Sequence, residues 1–160
     1  IGQGYMLTTP LQLAVSTSVI ANRGAHREPR LVQWRGDQRL AAPTRDPVRL
    51  DDTHWDAVVE GMRAVVHERR GTAYPIGRNI DYTMAGKTGT AQVIGIPQGE
   101  VYDEDRVAAR HRHHGLFVAF APLEAPTIAV AVIVENGGGS SAAYPVARTM
   151  IDAWLQDRRG

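Results

Sequence analysis

The chain contains no cysteine, which excludes a disulfide framework, a thiolate zinc site and a cysteine nucleophile. It has no apolar run near the roughly 18 residues that a membrane span needs. Its longest apolar stretch, Thr127 to Val134, is the length of a strand. Charge of one sign is also missing: 18 basic residues face 17 acidic ones, and a net charge of +1 gives no electrostatic reason to expect nucleic acid. Aromatic residues are only 6% of the chain, yet 43% is hydrophobic and 22% charged, which suits a folded domain. At 160 residues the length is that of about one domain. The chain opens Ile1-Gly2-Gln3-Gly4, with neither an initiator methionine nor a signal-peptide pattern, so it is expected to be a piece of a longer protein.

The hydrophobic pattern predicts helix, helix, strand, strand, strand, helix. Thr8-Thr9-Pro10 is a start signal, with a hydroxyl cap followed by proline at the first helical position. Leu11, Val15 and Val19 follow at helical spacing, and Asn22-Arg23-Gly24 stops a helix of about 10–23. Residues 25–50 carry Pro29, Pro43 and Pro47 and many arginines, and read as surface connection with a short strand at Leu31–Trp34. A second helix begins at Asp51-Asp52-Thr53, where acidic residues complement the helix dipole. Trp55, Val58, Val59, Met62, Val65 and Val66 give it one apolar stripe for core packing, and Gly71 ends it. Strands are predicted over 84–94, 116–121 and 127–135, the last rich in β-branched residues. The short link from Pro122 to Pro126 predicts an antiparallel hairpin between the last two. A closing helix of about 142–156 offers Val146, Met150, Ile151 and Trp154 for burial. The fold class is therefore α+β, an antiparallel sheet flanked by helices. The absence of a helix between the last two strands argues against a doubly wound parallel sheet.

The sharpest chemical feature is Ala85-Gly86-Lys87-Thr88-Gly89-Thr90-Ala91-Gln92. Strand alternation puts Lys87, Gly89 and Ala91 on one face and Thr88 and Thr90 on the other. Lys87, the chain's single lysine, supplies a positive charge, and the threonines supply rotatable donors. Gly89 leaves room for a ligand to approach the backbone. The group suits recognition of an anion. An extended ligand could also pair with the strand, provided it lies at an edge. Lys-Thr-Gly alone arises by chance at a rate on the order of a few per cent in a chain of this length.

Further blocks add to it: Ile1–Ala14 (IGQGYMLTTPLQLA), Ala85–Gln92 (AGKTGTAQ), His114–Pro122 (HGLFVAFAP) and Ile128–Gly138 (IAVAVIVENGG). In this order they resemble the C-terminal part of the transpeptidase domain of class B penicillin-binding proteins, most closely the elongation-type enzymes of that family, penicillin-binding protein 2. Lys-Thr-Gly is the third active-site element of such proteins, after Ser-x-x-Lys and Ser-Asp-Asn. The resemblance implies a penicillin-binding-protein/β-lactamase-like fold and a serine D,D-transpeptidase that cross-links peptidoglycan through an acyl-enzyme. It implies that Lys87 provides charge beside the nucleophile, and that Thr88, Gly89 and Thr90 bind substrate through the hydroxyls and the open backbone. The Thr90 backbone N–H would be an oxyanion-hole donor. No cofactor and no metal is implied. The implied partners are the D-Ala-D-Ala stem peptide, β-lactam antibiotics, the rest of the same transpeptidase domain, and a glycan polymerase with the elongation machinery. The implied location is the periplasmic side of the inner membrane.

One departure matters. The serines are Ser16, Ser18, Ser140 and Ser141, and the residues three positions on are Val19, Ala21, Ala143 and Tyr144. No Ser-x-x-Lys or Ser-x-Asn is present, so residues 1–160 are expected to be the C-terminal segment of one domain, unable to acylate alone and needing a covering segment. The alternatives are a carboxypeptidase or β-lactam hydrolase relative, and a non-catalytic sensor or binding module.

Other features carry less. His111, His113 and His114 with Arg110 and Arg112 read as a solvated basic loop rather than a metal site, since no carboxylate pair or cysteine completes one. Asp103-Glu104-Asp105 lacks the glycine and terminal glutamate of a calcium loop. Gly137-Gly138-Gly139 lacks the P-loop pattern. Arg27, Arg30, Arg35 and Arg39 read as solvated.

Overall fold

The computed structural model describes residues 6–43, 45–95, 99, 102–103 and 106–158. In chain order these form α1 (Pro10–Ala21), a two-residue-per-strand hairpin of β1 (Trp34–Arg35) and β2 (Gln38–Arg39), α2 (Asp52–His67) and a single turn α3 (Tyr74–Gly77). Then come β3 (Ala85–Ala91), β4 (His114–Ala121), β5 (Ile128–Val134) and α4 (Tyr144–Asp157). The expected architecture is the one found. β3, β4 and β5 make an antiparallel sheet in that spatial order.

Local chemistry sets the helix starts. The Thr9 hydroxyl accepts the Gln12 backbone N–H at 3.2 Å while the Gln12 side-chain oxygen accepts the Thr9 N–H at 2.8 Å, so two N–H groups of α1 that lack intrahelical partners are satisfied reciprocally. Asp51 stands before α2, whose Trp55, Met62 and Val66 are buried as the stripe predicts. Val58 belonged to the same expected stripe but is exposed, because it sits one position round the helix from the inward-facing Val59.

The two faces of the sheet are covered differently. On one face, Phe117, Ala119, Ala121, Val130 and Val132 pack with Val66, Ile76, Met84 and the α4 residues Ala147 and Ile151 into the main core. On the other, Ala85 and Phe120 meet Met62, with Ile20, Ala21, Val59 and Ala129 beside them, so α1 and α2 share this face. α4 corrects an expectation: Ile151 is buried, but Val146, Met150 and Trp154 point outward. Ala147, Ile151 and Leu155 recur four apart and form the inward stripe, so Val146, Met150 and Trp154, one position round the helix, face outward. A network fastens α4 from behind. The Tyr82 hydroxyl donates to Asp152 at 2.6 Å, Arg148 donates to the other Asp152 oxygen at 2.6 Å, and Arg148 also donates to the Ile76 carbonyl at 2.7 Å.

Most element boundaries shift by one to three residues from the expected ones, and two elements differ more. The strand expected over 84–94 runs from Ala85 to Ala91, and the short strand expected at 31–34 is the hairpin centred on Gly36. The hairpin and α3 are too short to leave a periodic signal. Residues 1–5 of the first resemblance block and part of the loop before β4, including Glu104 and Asp105, lie outside the described residues.

Candidate functional site

β3 carries the Lys-Thr-Gly motif, and among the described residues it is the edge strand of its sheet, paired with β4 alone. An edge strand keeps a row of outward backbone N–H and C=O groups. The condition set on the motif, that an extended ligand could reach its backbone, is therefore met. The register opposes Lys87 to Val118, Thr88 to Phe117, Gly89 to Leu116 and Thr90 to Gly115. Lys87 and Gly89 thus share a face with Leu116 and Val118, both only half-buried.

Lys87 is exposed, and its Nζ donates to the Thr88 carbonyl at 2.7 Å. An ammonium has three donors, so two remain for other acceptors. The Thr88 Oγ1 lies 2.8 Å from the Thr72 Oγ1, which brings in a residue from the turn between α2 and α3. The sequence reading missed Thr72, because nothing local to Gly71-Thr72-Ala73 says that it meets a strand 16 positions later.

The glycines divide the work. A Cβ on Gly86 would stand 2.5 Å from the Phe117 ring and 2.9 Å from the Val118 carbonyl oxygen, so core packing requires glycine there. A Cβ on Gly89 would lie 3.3 Å from the Leu116 Cβ, a tight contact that needs Leu116 to give by a few tenths of an ångström. The demand for glycine at Gly89 is therefore smaller than at Gly86, and Gly89 shares its face with the exposed Lys87.

The histidine loop behaves differently from expectation. Rather than being solvated, His113 is 4% exposed and stacks on Tyr102 with ring centroids 3.8 Å apart. Its Nδ1 accepts the Val93 N–H at 3.2 Å, tying the chain just after β3 to the start of β4. The His114 Nδ1 accepts the Asn136 N–H at 2.9 Å. Asn136, at φ 55°, donates to the Arg110 and Arg112 carbonyls, and Gly138 donates to the His113 carbonyl. These two histidines use ring nitrogens as acceptors for main-chain N–H groups and fasten the end of the sheet where β3 finishes. His111 remains exposed, and no group of metal-ligating side chains occurs among the described residues. The glycine loop at 137–139 serves this clasp. No described helix is long and apolar enough to cross a membrane.

Known proteins place this arrangement. Residues 1–152 match the penicillin binding protein transpeptidase domain family. The chain is 39% identical over 166 residues to the peptidoglycan D,D-transpeptidase MrdA of Acinetobacter baumannii, covering 99% of this chain and 24% of that protein. It is similar to the crystal structure of PBP2 of Pseudomonas aeruginosa in complex with WCK 5153, with TM-score 0.79 and 45% identity over 97% of this chain and 32% of that one. It is also similar to penicillin-binding protein A of Mycobacterium tuberculosis in an imipenem acyl-enzyme complex, with TM-score 0.69 and 31% identity over 97% of this chain and 32% of that one. The chain spans about a quarter of the length of the curated relatives it matches. With an exposed Lys-Thr-Gly edge strand, helices on both sheet faces and a family match over residues 1–152, the chain belongs to the penicillin-binding protein transpeptidase domain family.

Proposed function

We propose that this chain forms the Lys-Thr-Gly side of the active site of a serine D,D-transpeptidase that cross-links peptidoglycan, and that the nucleophilic serine comes from a segment outside residues 1–160. The observation that carries the reading is an exposed Lys87 next to Thr88, Gly89 and Thr90 on an open sheet edge. The imipenem acyl-enzyme of the Mycobacterium tuberculosis relative supports the covalent chemistry.

The parts then have distinct tasks. A stem peptide ending in D-Ala-D-Ala lies extended along β3 and pairs its backbone with the strand edge. Its terminal carboxylate is held by the Thr88 and Thr90 hydroxyls through charge-assisted hydrogen bonds, while Lys87, on the other face of the strand, supplies positive charge beside the nucleophile. The absent serine attacks the penultimate D-Ala carbonyl. The resulting oxyanion is met by the Thr90 backbone N–H, and losing one donor of this kind costs roughly 3 to 4 kcal/mol. The C–N bond breaks, D-Ala leaves with a proton, and an amine of a second stem peptide displaces the serine to complete the cross-link. A β-lactam presents a carboxylate and an acylating carbonyl to the same groups. No metal or cofactor enters this chemistry. The parent is anchored in the inner membrane, works on its periplasmic side, and acts with a glycan polymerase and the elongation machinery.

Incubating the intact parent domain with fluorescent penicillin, beside its Lys87→Ala variant, tests the reading. Covalent label on the parent, reduced on the order of 100-fold in the variant, is expected. A folded parent that takes no label would favour a sensor or binding module. Label lost to water, with no transfer to an added amine, would favour a carboxypeptidase or β-lactam hydrolase.

A further inference from the structure

The threonine contact beside the motif strand has a geometry that incidental surface packing does not require. The turn bearing Thr72 is locked onto the end of α2. Gly71 donates to the Glu68 carbonyl at 2.8 Å and Ala73 to the Val65 carbonyl at 3.0 Å. A Cβ on Gly71 would fall 2.2 Å from the Val65 carbonyl oxygen and 2.4 Å from that of Ala64, so the turn sits as close to the helix as glycine allows. Ala73 beside it is fully buried. Thr72 is therefore presented from a fixed position, and its Oγ1 lies 2.8 Å from the Thr88 Oγ1.

A hydroxyl has one proton to give and two lone pairs to receive with. If Thr88 gives its proton to Thr72, it has none for a ligand. If Thr72 gives its proton to Thr88, the Thr88 proton is free, and the accepted bond polarises Thr88 into a better donor. A carboxylate, which only accepts, selects the second arrangement. Resting on the function proposed above, we propose that Thr72 is a positioning residue for that site. It donates to Thr88 and fixes the rotamer from which Thr88 donates to the carboxylate of the stem peptide or β-lactam. Thr72 acts through Thr88 and needs no contact with the ligand itself.

The test is a double-mutant cycle in the intact parent domain. The second-order rate of acylation by benzylpenicillin is measured for Thr72→Val, Thr72→Ser, Thr88→Val and the Thr72→Val/Thr88→Val pair, with the melting temperature of each. Thr88→Val is expected to slow acylation at least about tenfold, the scale of a lost hydrogen bond to a charged group, and Thr72→Val by several-fold. Thr72→Ser should restore most of the rate, and the double variant should be no slower than Thr88→Val alone. A turn that merely props the fold would give losses that multiply, with Thr72→Val still slowing a protein already lacking the Thr88 hydroxyl. That result, or wild-type acylation by Thr72→Val while Thr88→Val is slow, overturns the inference and leaves the site reading standing. Wild-type acylation by Thr88→Val and Lys87→Ala together removes the site reading and this inference with it.

Discussion

The two faces of the sheet make the informative contrast. The face beneath α4 is a dense apolar core in which Phe117, Ala119 and Ala121 of β4 are fully buried against Ala147 and Ile151. The face beneath α1 and α2 has a small buried cluster at one end, around Met62, Ala85 and Phe120. Toward the other end, Lys87 is exposed and Leu116, Val118 and Ile133 are half-buried. One face has spent most of its surface on stability, with the half-buried Thr88 and Thr90 at its β3 edge, while the other leaves Lys87 and Gly89 uncovered. The same strand serves both, because successive residues of β3 look in opposite directions.

The contrast can be broken first from its dense side. Phe117→Ala removes a fully buried ring and should destabilise the intact domain by about 3 to 5 kcal/mol, read by chemical denaturation. Acylation by penicillin under strongly native conditions should fall far less than stability does. The glycine pair sharpens the point. Gly86→Ala meets the Phe117 ring and the Val118 carbonyl and should cost about 1 to 3 kcal/mol. Gly89→Ala should change stability by less than about 1 kcal/mol, since a strand alanine is favoured over glycine and only the Leu116 Cβ must give a little. For acylation the order reverses: Gly89→Ala should slow it more, because its methyl stands on the open face. Equal effects of the two substitutions on both readouts would dissolve the division of the strand into a packed and an open side.

The smallest expected effect is a pH dependence at the junction of the two faces. His67, at the end of α2, accepts the Met84 N–H on its Nε2 at 3.2 Å, just before β3 begins. Burial, and then the nearby Arg63 guanidinium, hold its pKa below the ordinary histidine value, against a partial pull from Glu68 and Glu124. A depressed folded pKa means that the folded state favours the neutral ring. Its contribution is complete above the unfolded pKa of about 6.5 and is lost as pH falls through the lower folded value. The melting temperature should drop more between pH 7 and pH 5 in the wild type than in His67→Gln. Parallel curves for the two proteins would remove His67 from that role.

Much of this was legible in the chain because it depends on near neighbours. Thr9-Pro10-Leu11-Gln12 contains the whole capping arrangement of α1, and the β-branched run from Ile128 to Val134 could only be a strand. Lys87, Thr88, Gly89 and Thr90 stood out because their spacing alone suggests anion binding. The less legible features depend on distant partners. The outward stripe of α4 follows from which of its stripes, Ala147, Ile151 and Leu155, packs on the sheet. His113 and His114 looked like charged surface along with His111, yet their rings find backbone donors, from Val93 for His113 and from Asn136 for His114.

The sequence by itself determined the order of the helices and strands, the antiparallel hairpin of β4 and β5, and the chemistry offered by a single lysine flanked by hydroxyls and glycines. Those follow from periodicity, capping and residue type, which act over a few positions. The tertiary structure decided that β3 lies at the sheet edge, that Gly86 and not Gly89 is the glycine the core demands, and that Thr72 reaches Thr88. Each of these depends on which segments pack together, and that is settled by burial and backbone pairing across the whole domain.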